Sequence, residues 1–229
     1  KDVAILAEKL KDFDGIMVRS ATLISAEALQ KATHLKVIGR AGAGVDTIDV
    51  DAATARGIAV MNAPDGNTLA AAEHAVSLLF ALARHIPRAD AGMKAGEWPK
   101  NGLTGFELEG KRLGVIGLGR IGATVARKAV GIGMEVAAFD PFLPTSAAGR
   151  MSVPMKPLDE LLAWADIITL HIPRTKETTN IIGEAQMRAM RKGSYLINAA
   201  RGGLVDEDAL LKVLDEGHLA GAALDTFVT

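Results

Sequence analysis

Short apolar, β-branched runs alternate with helix-period segments along the whole chain. Runs at 15–18, 36–38, 59–62, 112–116, 135–139, 166–170, 194–199 and 220–224 have the length and Val/Ile content of strands. Between them, 25–33, 48–56, 120–132, 157–164, 184–190 and 207–216 repeat apolar residues at helical spacing. Ser25 is placed as an N-cap, Pro157 in a first turn, and Gly193 and Gly217 after last turns. Such alternation predicts an α/β fold with parallel sheets built from βαβ units and helices on both faces. Segment 67–88 differs: it is alanine-rich and reads as one long helix ending at Ile86–Pro87–Arg88. A polar, glycine-rich stretch follows up to Arg112. It sets a domain boundary within 95–110, giving domains 1–98 and 99–229. The first holds about three strands, thin for an independent sheet, and the second at least five.

Composition narrows the partners. Of 229 residues, 49% are hydrophobic, enough to fill real cores. Lys and Arg number 26 against 27 Asp and Glu, a net charge of −1. That removes the electrostatic case for a nucleic acid or an anionic membrane surface. Cysteine is absent, so neither a disulfide nor a thiolate metal site is available, and no metal is expected. The longest mainly apolar run, Ala75–Ala83, is far short of the ~20 residues a bilayer span needs. The first residues lack a charged-then-apolar signal pattern. The expectation is a soluble, cytoplasmic protein with no membrane partner.

"RLGVIGLGRIGATVARKAV" carries Gly117, Gly119 and Gly122 at G-x-G-x-x-G spacing, after an apolar run and before an amphipathic helix. Gly117 permits a tight turn, and Gly119 lets backbone N–H groups approach a pyrophosphate. Gly122 lets the helix close on the strand. Asp140 follows 18 residues after Gly122, where a carboxylate bonds a ribose 2′-hydroxyl and repels a 2′-phosphate. The pattern predicts a Rossmann-type, NAD-binding domain.

Ligands in such folds lie outside the carboxyl ends of the strands, where Arg201, Asp225 and His171 fall. Arg201 precedes Gly202 and Gly203, which leave room for an approaching group, and its fork suits a carboxylate. The alternative is an arginine that caps the sheet or pairs with Asp206. His171 titrates in a useful range, but its strand exit and the following Ile172–Pro173 favour a structural role. Glu73 and His74 resemble an acid–base pair, yet adjacent helical residues point about 100° apart, which favours packing. Arg19 and Arg40 each follow a short apolar run, Arg40 beside a Gly-Ala-Gly loop. Together they are an anion site or ordinary surface charge.

The blocks "VRSAT", "GRAGAGVD", "GLGRIG", "FDP", "LINAARGGLVDEDAL" and "GAALDTF" resemble, in order and at family spacing, the D-isomer-specific 2-hydroxyacid dehydrogenases. The resemblance covers essentially the whole chain. It implies a Rossmann-type doubly wound parallel sheet plus a second, incomplete flavodoxin-like α/β substrate domain. By this resemblance Arg201 is catalytic, gripping the carboxylate and carbonyl of a 2-oxo acid. Arg120 and Ile121 meet the pyrophosphate with Gly117, Gly119 and Gly122. Asp140 meets the ribose, and Asp225 holds the nicotinamide carboxamide. His171, Ile172, Pro173, Ala199 and Ala200 line the NAD cofactor, His171 not being the family's catalytic histidine. Arg19, Ser20, Arg40, Gly42, Ala43 and Gly44 bind the substrate anion.

The implied activity is the NAD-dependent interconversion of D-3-phosphoglycerate and 3-phosphohydroxypyruvate, at the entry to serine synthesis. The alternatives are a hydroxypyruvate or glyoxylate reductase and an NAD-sensing binding protein. The small-molecule 2-hydroxy or 2-oxo acid is the expected partner, with a homodimer or larger assembly, since helix 67–88 and the segment after it resemble the family's dimer arm. Departures stand at Ala43 and Ile172, where relatives often have Thr, in "DTF" for "DVF", and at Pro99–Lys100–Asn101 for a basic pair. The resemblance also puts a catalytic Glu and His beyond Thr229, and an initial strand and helix of the substrate domain before Lys1.

Overall fold

The computed structural model describes residues 3–98, 101–143 and 153–228. By contacts the chain divides into Lys1–Thr68 and Leu69–Thr229.

The first unit carries α1 (Val3–Leu10), β1 (Gly15–Val18), α2 (Ala26–Gln30), β2 (Val37–Arg40), α3 (Val50–Ala55) and β3 (Ala59–Asn62). The strand pattern does not announce α1. The three strands pair in parallel in the order β1-β2-β3. Ser25 caps α2 by accepting the Ala28 N–H at 3.2 Å, and Asp49 caps α3 from Ala52 N at 2.9 Å. Ile24, Ala28, Leu29, Ile38 and Ala53 pack between sheet and helices.

The second unit begins with α4 (Thr68–Ala83) and α5 (Ile86–Lys94), where a single helix was expected. The two helices bend by 69°. Pro87 has no N–H, so the carbonyl four residues earlier, that of Ala83, loses its helical partner. Phe106 N–H takes that carbonyl at 3.0 Å, and His85 turns the chain with φ 51°. A Cβ on Gly105 would stand 2.1 Å from the same oxygen, so only glycine lets this strap close over the helix end. Ala72, Ala75, Leu79 and Ala83, at helical spacing, bury one face of α4 against Leu113, Val115, Val125 and Ile197. That packing carries α4 into the second unit.

Five strands follow: β4 (Arg112–Ile116), β5 (Glu135–Phe139), β6 (Ile167–Leu170), β7 (Tyr195–Asn198) and β8 (Gly221–Leu224). They form one parallel sheet in the order β5-β4-β6-β7-β8. Helices α6 (Arg120–Gly131), α7 (Leu158–Trp164), α8 (Glu184–Ala189) and α9 (Glu207–Asp215) make the crossovers. Strands β4, β6 and β7 are buried almost throughout, as their unbroken apolar runs demand. At their amino ends the Arg112 guanidinium grips Asp166 with two bonds, Nε at 3.1 Å and Nη2 at 2.8 Å, tying β4 to β6. The chain leaves β4 to β5 on one side and returns to β6 on the other. The crevice at this reversal lies at the carboxyl ends of β4 and β6.

Candidate functional site

The turn after β4 is built by two steric demands. Gly117 has φ 95°, and a Cβ on it would meet Ile172 Cγ2 at 2.5 Å and the His171 carbonyl carbon at 2.7 Å. A Cβ on Gly122 would stand 1.8 Å from the Gly117 carbonyl oxygen, so α6 closes on the turn only because that residue is glycine. Gly119 is different: beyond its chain neighbours, no atom of the described residues lies within 4 Å of the position its Cβ would occupy. It is the N-cap of α6 and supplies no side-chain cap, so the first-turn N–H groups from Arg120 and Ile121 onward face an open cradle. That is the shape a diphosphate requires.

Asp140, just after β5, closes the cradle. Its Oδ2 accepts the Leu118 N–H at 2.7 Å, and its Oδ1 accepts Phe142 N at 2.8 Å and Leu143 N at 3.2 Å. Gly117 N–H donates to Phe139 O at 2.7 Å beside it. Three N–H donors occupy a carboxylate with roughly four lone-pair sites, leaving about one for a hydroxyl from outside. The carboxylate is therefore oriented in advance.

Behind the turn, His171 is part-buried with Nε2 3.0 Å from Thr169 Oγ1. Burial holds its pKa down at about 4, so the imidazole is neutral at physiological pH. Ile172 is 3% exposed and belongs to the core. Its side chain shapes the floor beneath Gly117, so only its backbone is left to line a ligand.

Arg201 follows β7. Its Nη1 donates to the Ala200 carbonyl at 2.7 Å. Asp206 spends Oδ1 on the Ala209 N–H at 3.0 Å, capping α9. The glycines behind Arg201 have another reason than clearing an approach. A Cβ on Gly202 would lie 2.0 Å from the Phe227 carbonyl oxygen, and Gly203, at φ 78°, sits against Arg174 and Val228. They make room for the chain's own segment after β8.

Two polar residues organise this edge, one that the sequence reading passed over and one that it assigned to packing. Asn198, 2% exposed at the end of β7, donates from Nδ2 to the Arg201 carbonyl at 2.9 Å. Its Oδ1 accepts the Ala200 N–H at 3.1 Å, and its backbone carbonyl accepts the Asp225 N–H at 2.9 Å. One buried amide thus fixes the loops of both Arg201 and Asp225. Its signal in the sequence is a single amide closing an otherwise apolar strand. The other is His74 on α4, whose Nε2 lies 3.1 Å from Asp225 Oδ1. Neighbouring Glu73 turns instead to Lys128 Nζ at 3.0 Å, so the two side chains of the apparent acid–base pair diverge.

In the first unit, Val18 of β1 pairs with Arg40 of β2, so Arg19 and Arg40 leave the same edge of the sheet. Ser20 follows in an exposed turn. Arg40 Nη1 donates to Ala41 O at 2.9 Å while its Nε is buried without a partner among the described residues. In the Gly42–Gly44 loop, Ala63 N–H takes the Gly42 carbonyl at 3.0 Å and Asn62 Nδ2 takes the Ala43 carbonyl at 2.7 Å. With both carbonyls held from β3, the loop has N–H groups of Ala43 and Gly44 to offer an anion. Pro99 and Lys100, where a basic pair was noted as missing, lie outside the described residues.

Residues 76–229 match the family model for the D-isomer specific 2-hydroxyacid dehydrogenase, NAD binding domain. The chain is 48% identical over 227 residues to the D-3-phosphoglycerate dehydrogenase of Bacillus subtilis (strain 168), covering 99% of this chain and 43% of that one. It is 49% identical over 222 residues to the enzyme of the same name from Archaeoglobus fulgidus, covering 97% and 42%. It spans less than half the length of these curated relatives. Among solved structures, D-lactate dehydrogenase from Aquifex aeolicus, complexed with NAD and lactic acid, superposes with TM-score 0.87 at 35% identity, covering 96% of this chain and 66% of that one. A glyoxylate reductase from a Paecilomyces species superposes with TM-score 0.89 at 32% identity, covering 98% and 70%.

Proposed function

The chain belongs to the D-isomer specific 2-hydroxyacid dehydrogenase family, and from that premise we propose that it serves the NAD-dependent interconversion of D-3-phosphoglycerate and 3-phosphohydroxypyruvate. The observation that carries the reading is the carboxyl edge of the five-stranded sheet, where the open α6 N-terminus, Asp140, Arg201 and Asp225 all emerge. The near-half identity to relatives named for phosphoglycerate favours that substrate.

The first-turn N–H groups of α6 would hold the NAD pyrophosphate, with Gly119 leaving the space, and Asp140 would accept the adenosine ribose hydroxyl. Asp225 would accept from the nicotinamide carboxamide. His171, Pro173, Ala199 and Ala200 would wall the crevice. When bound, the cofactor supplies the hydride acceptor for C2 of the hydroxy acid. Arg201 would hold the substrate carboxylate and carbonyl, its cation stabilising the charge that grows on oxygen. Arg19, Ser20, Arg40 and the Gly42–Gly44 loop would take the phosphate.

A second reading, reduction of glyoxylate or hydroxypyruvate, has the similarity to glyoxylate reductase in its favour. The test is NADH formation by the full-length protein, which carries the Glu and His expected after Thr229, with D-3-phosphoglycerate set beside D-glycerate and glycolate. Preference for the phosphorylated acid supports the first reading, and preference for the others supports the second. NAD binding with turnover of none supports a nucleotide-sensing protein. We also assign it to the cytoplasm as a homodimer or larger, with Ile86, Met93 and Trp98 as apolar surface for a second copy, all at least half exposed. Mass by light scattering checks the assembly.

A further inference from the structure

We propose that His74 is a positioning residue for the nicotinamide end of the cofactor, acting through Asp225; this rests on the cofactor reading above. The two side chains are 48% and 49% exposed, and an ion pair so open to water adds little to stability. Its consequence is orientation.

Asp225 follows β8, with its N–H anchored on the Asn198 carbonyl at 2.9 Å. That fixes the backbone but leaves the carboxylate free to turn about its own bonds. The His74 ring removes that freedom by holding Oδ1 at 3.1 Å. A carboxylate has no proton to give, so the ring meets it as a donor, and Oδ2 is left for an incoming N–H. An acceptor held in place is what an amide N–H of a carboxamide reads.

The base of His74 is itself rigid. Ala72, Ala75, Leu79 and Ala83 lock the buried face of α4 into the core, and Glu73 ties its polar face to Lys128 on α6 at 3.0 Å. A side chain carried on such an element holds its partner more closely than one carried on a loop.

The inference separates the two ends of the dinucleotide. ADP-ribose carries the adenosine and pyrophosphate but no carboxamide. In calorimetric titrations, His74→Ala is expected to weaken NAD about five- to tenfold, the loss of one ordered, charge-assisted hydrogen bond. ADP-ribose affinity should stay within about twofold, which also reports that the variant is folded. His74→Gln, which retains an N–H donor, should recover most of the loss. In an Asp225→Ala background, His74→Ala should have no further effect on NAD. Equal weakening of NAD and ADP-ribose would make His74 a structural tie between α4 and β8 and overturn the proposal. Unchanged NAD affinity overturns it as well. A wild-type protein that binds ADP-ribose and NAD equally removes the carboxamide contact, and with it this proposal, while leaving the pyrophosphate cradle standing. Wild-type protein that binds neither overturns the cofactor reading and this inference together.

Discussion

Each sheet carries an arginine at or just past a strand end with glycine close behind: Arg40–Ala41–Gly42, whose arginine closes β2, and Arg201–Gly202–Gly203, in the loop that follows β7. In both, Nη1 of the guanidinium donates to a carbonyl of its own loop, Ala41 at 2.9 Å and Ala200 at 2.7 Å. The glycines serve different neighbours. A Cβ on Gly42 would stand 2.2 Å from Nη1 of Arg40, so the glycine makes space for the arginine. A Cβ on Gly202 would stand 2.0 Å from the carbonyl oxygen of Phe227, so that glycine makes space for backbone. A flexible side-chain end can move aside, whereas a backbone carbonyl fixed beside a strand has little freedom. The same short motif is therefore adjustable in the first unit and rigid in the second.

The largest expected effect concerns the arginines. Arg201→Ala should lower kcat/KM by about a hundred- to a thousandfold, as expected for losing a charge that grips the substrate. Arg201→Lys should recover little, because an ammonium cannot reproduce the fork. Arg40→Ala should raise KM for a phosphorylated acid about tenfold and leave an unphosphorylated one nearly unchanged. Steady-state kinetics on both substrates decides it. If Arg40→Ala costs both acids equally, the two arginines share one role and the contrast is broken.

Stability should rank the glycines. Gly202→Ala, driven against backbone, should cost about 3 kcal/mol or more, and Gly122→Ala a similar amount. Gly42→Ala, which displaces a guanidinium and keeps a backbone at φ 156°, should cost about 1–2 kcal/mol. Both tryptophans, Trp98 and Trp164, lie in the second unit, so urea melts followed by their fluorescence report on Gly122 and Gly202. Far-UV circular dichroism follows Gly42→Ala. Equal costs for Gly42 and Gly202 would refute the distinction between side-chain and backbone neighbours.

A third test examines the floor beneath the Gly117 turn. The unfolded His171 takes a proton near 6.5, and the folded one resists protonation down to about 4. Below 6.5 the unfolded chain therefore binds more protons, and stability falls as pH drops from about 6.5 through 4. The urea midpoint of the second unit should decline across that window. In His171→Gln, which lacks the titrating ring, the decline should be shallower. Parallel curves for the two proteins would exclude His171 as the source.

Much of this edge was legible in the chain before any coordinates. β1, β3, β4 and β5 begin and end where their apolar runs do, because β-branched residues between turn formers leave little choice. The Gly117–Gly122 spacing pointed to an anion cradle because its constraints are local, with strand, turn and helix all within a dozen residues. The break between α4 and α5 was not legible. Pro87 acts on Ala83, and the N–H that relieves the orphaned carbonyl belongs to Phe106. Gly202 was misread for the same reason, since the atom it avoids comes from Phe227. His74 and Asp225 meet only because α4 packs on the sheet that carries β8. What is local in sequence was readable, and what depends on a remote partner was not.

The smallest expected effect bears on that remote partner. Thr226 lies between Asp225 and Phe227, and its Oγ1 is buried without a hydrogen-bond partner among the described residues. A hydroxyl stripped of water and left unpaired opposes folding, whereas a methyl of the same shape does not. Thr226→Val should therefore stabilise the second unit by about 0.5–1 kcal/mol, seen as a higher urea midpoint in the tryptophan signal. The NAD affinity should not change, because the fit of Phe227 against Gly202 is a matter of backbone. A stabilised variant with unaltered affinity keeps Gly202 and the returning segment a purely steric pair. A destabilised one would mean that the hydroxyl finds a partner, and that Thr226 adds to the bonds that already hold the segment after β8, Asp225 N–H on the Asn198 carbonyl at 2.9 Å and Val228 N–H on Glu207 Oε1 at 2.7 Å.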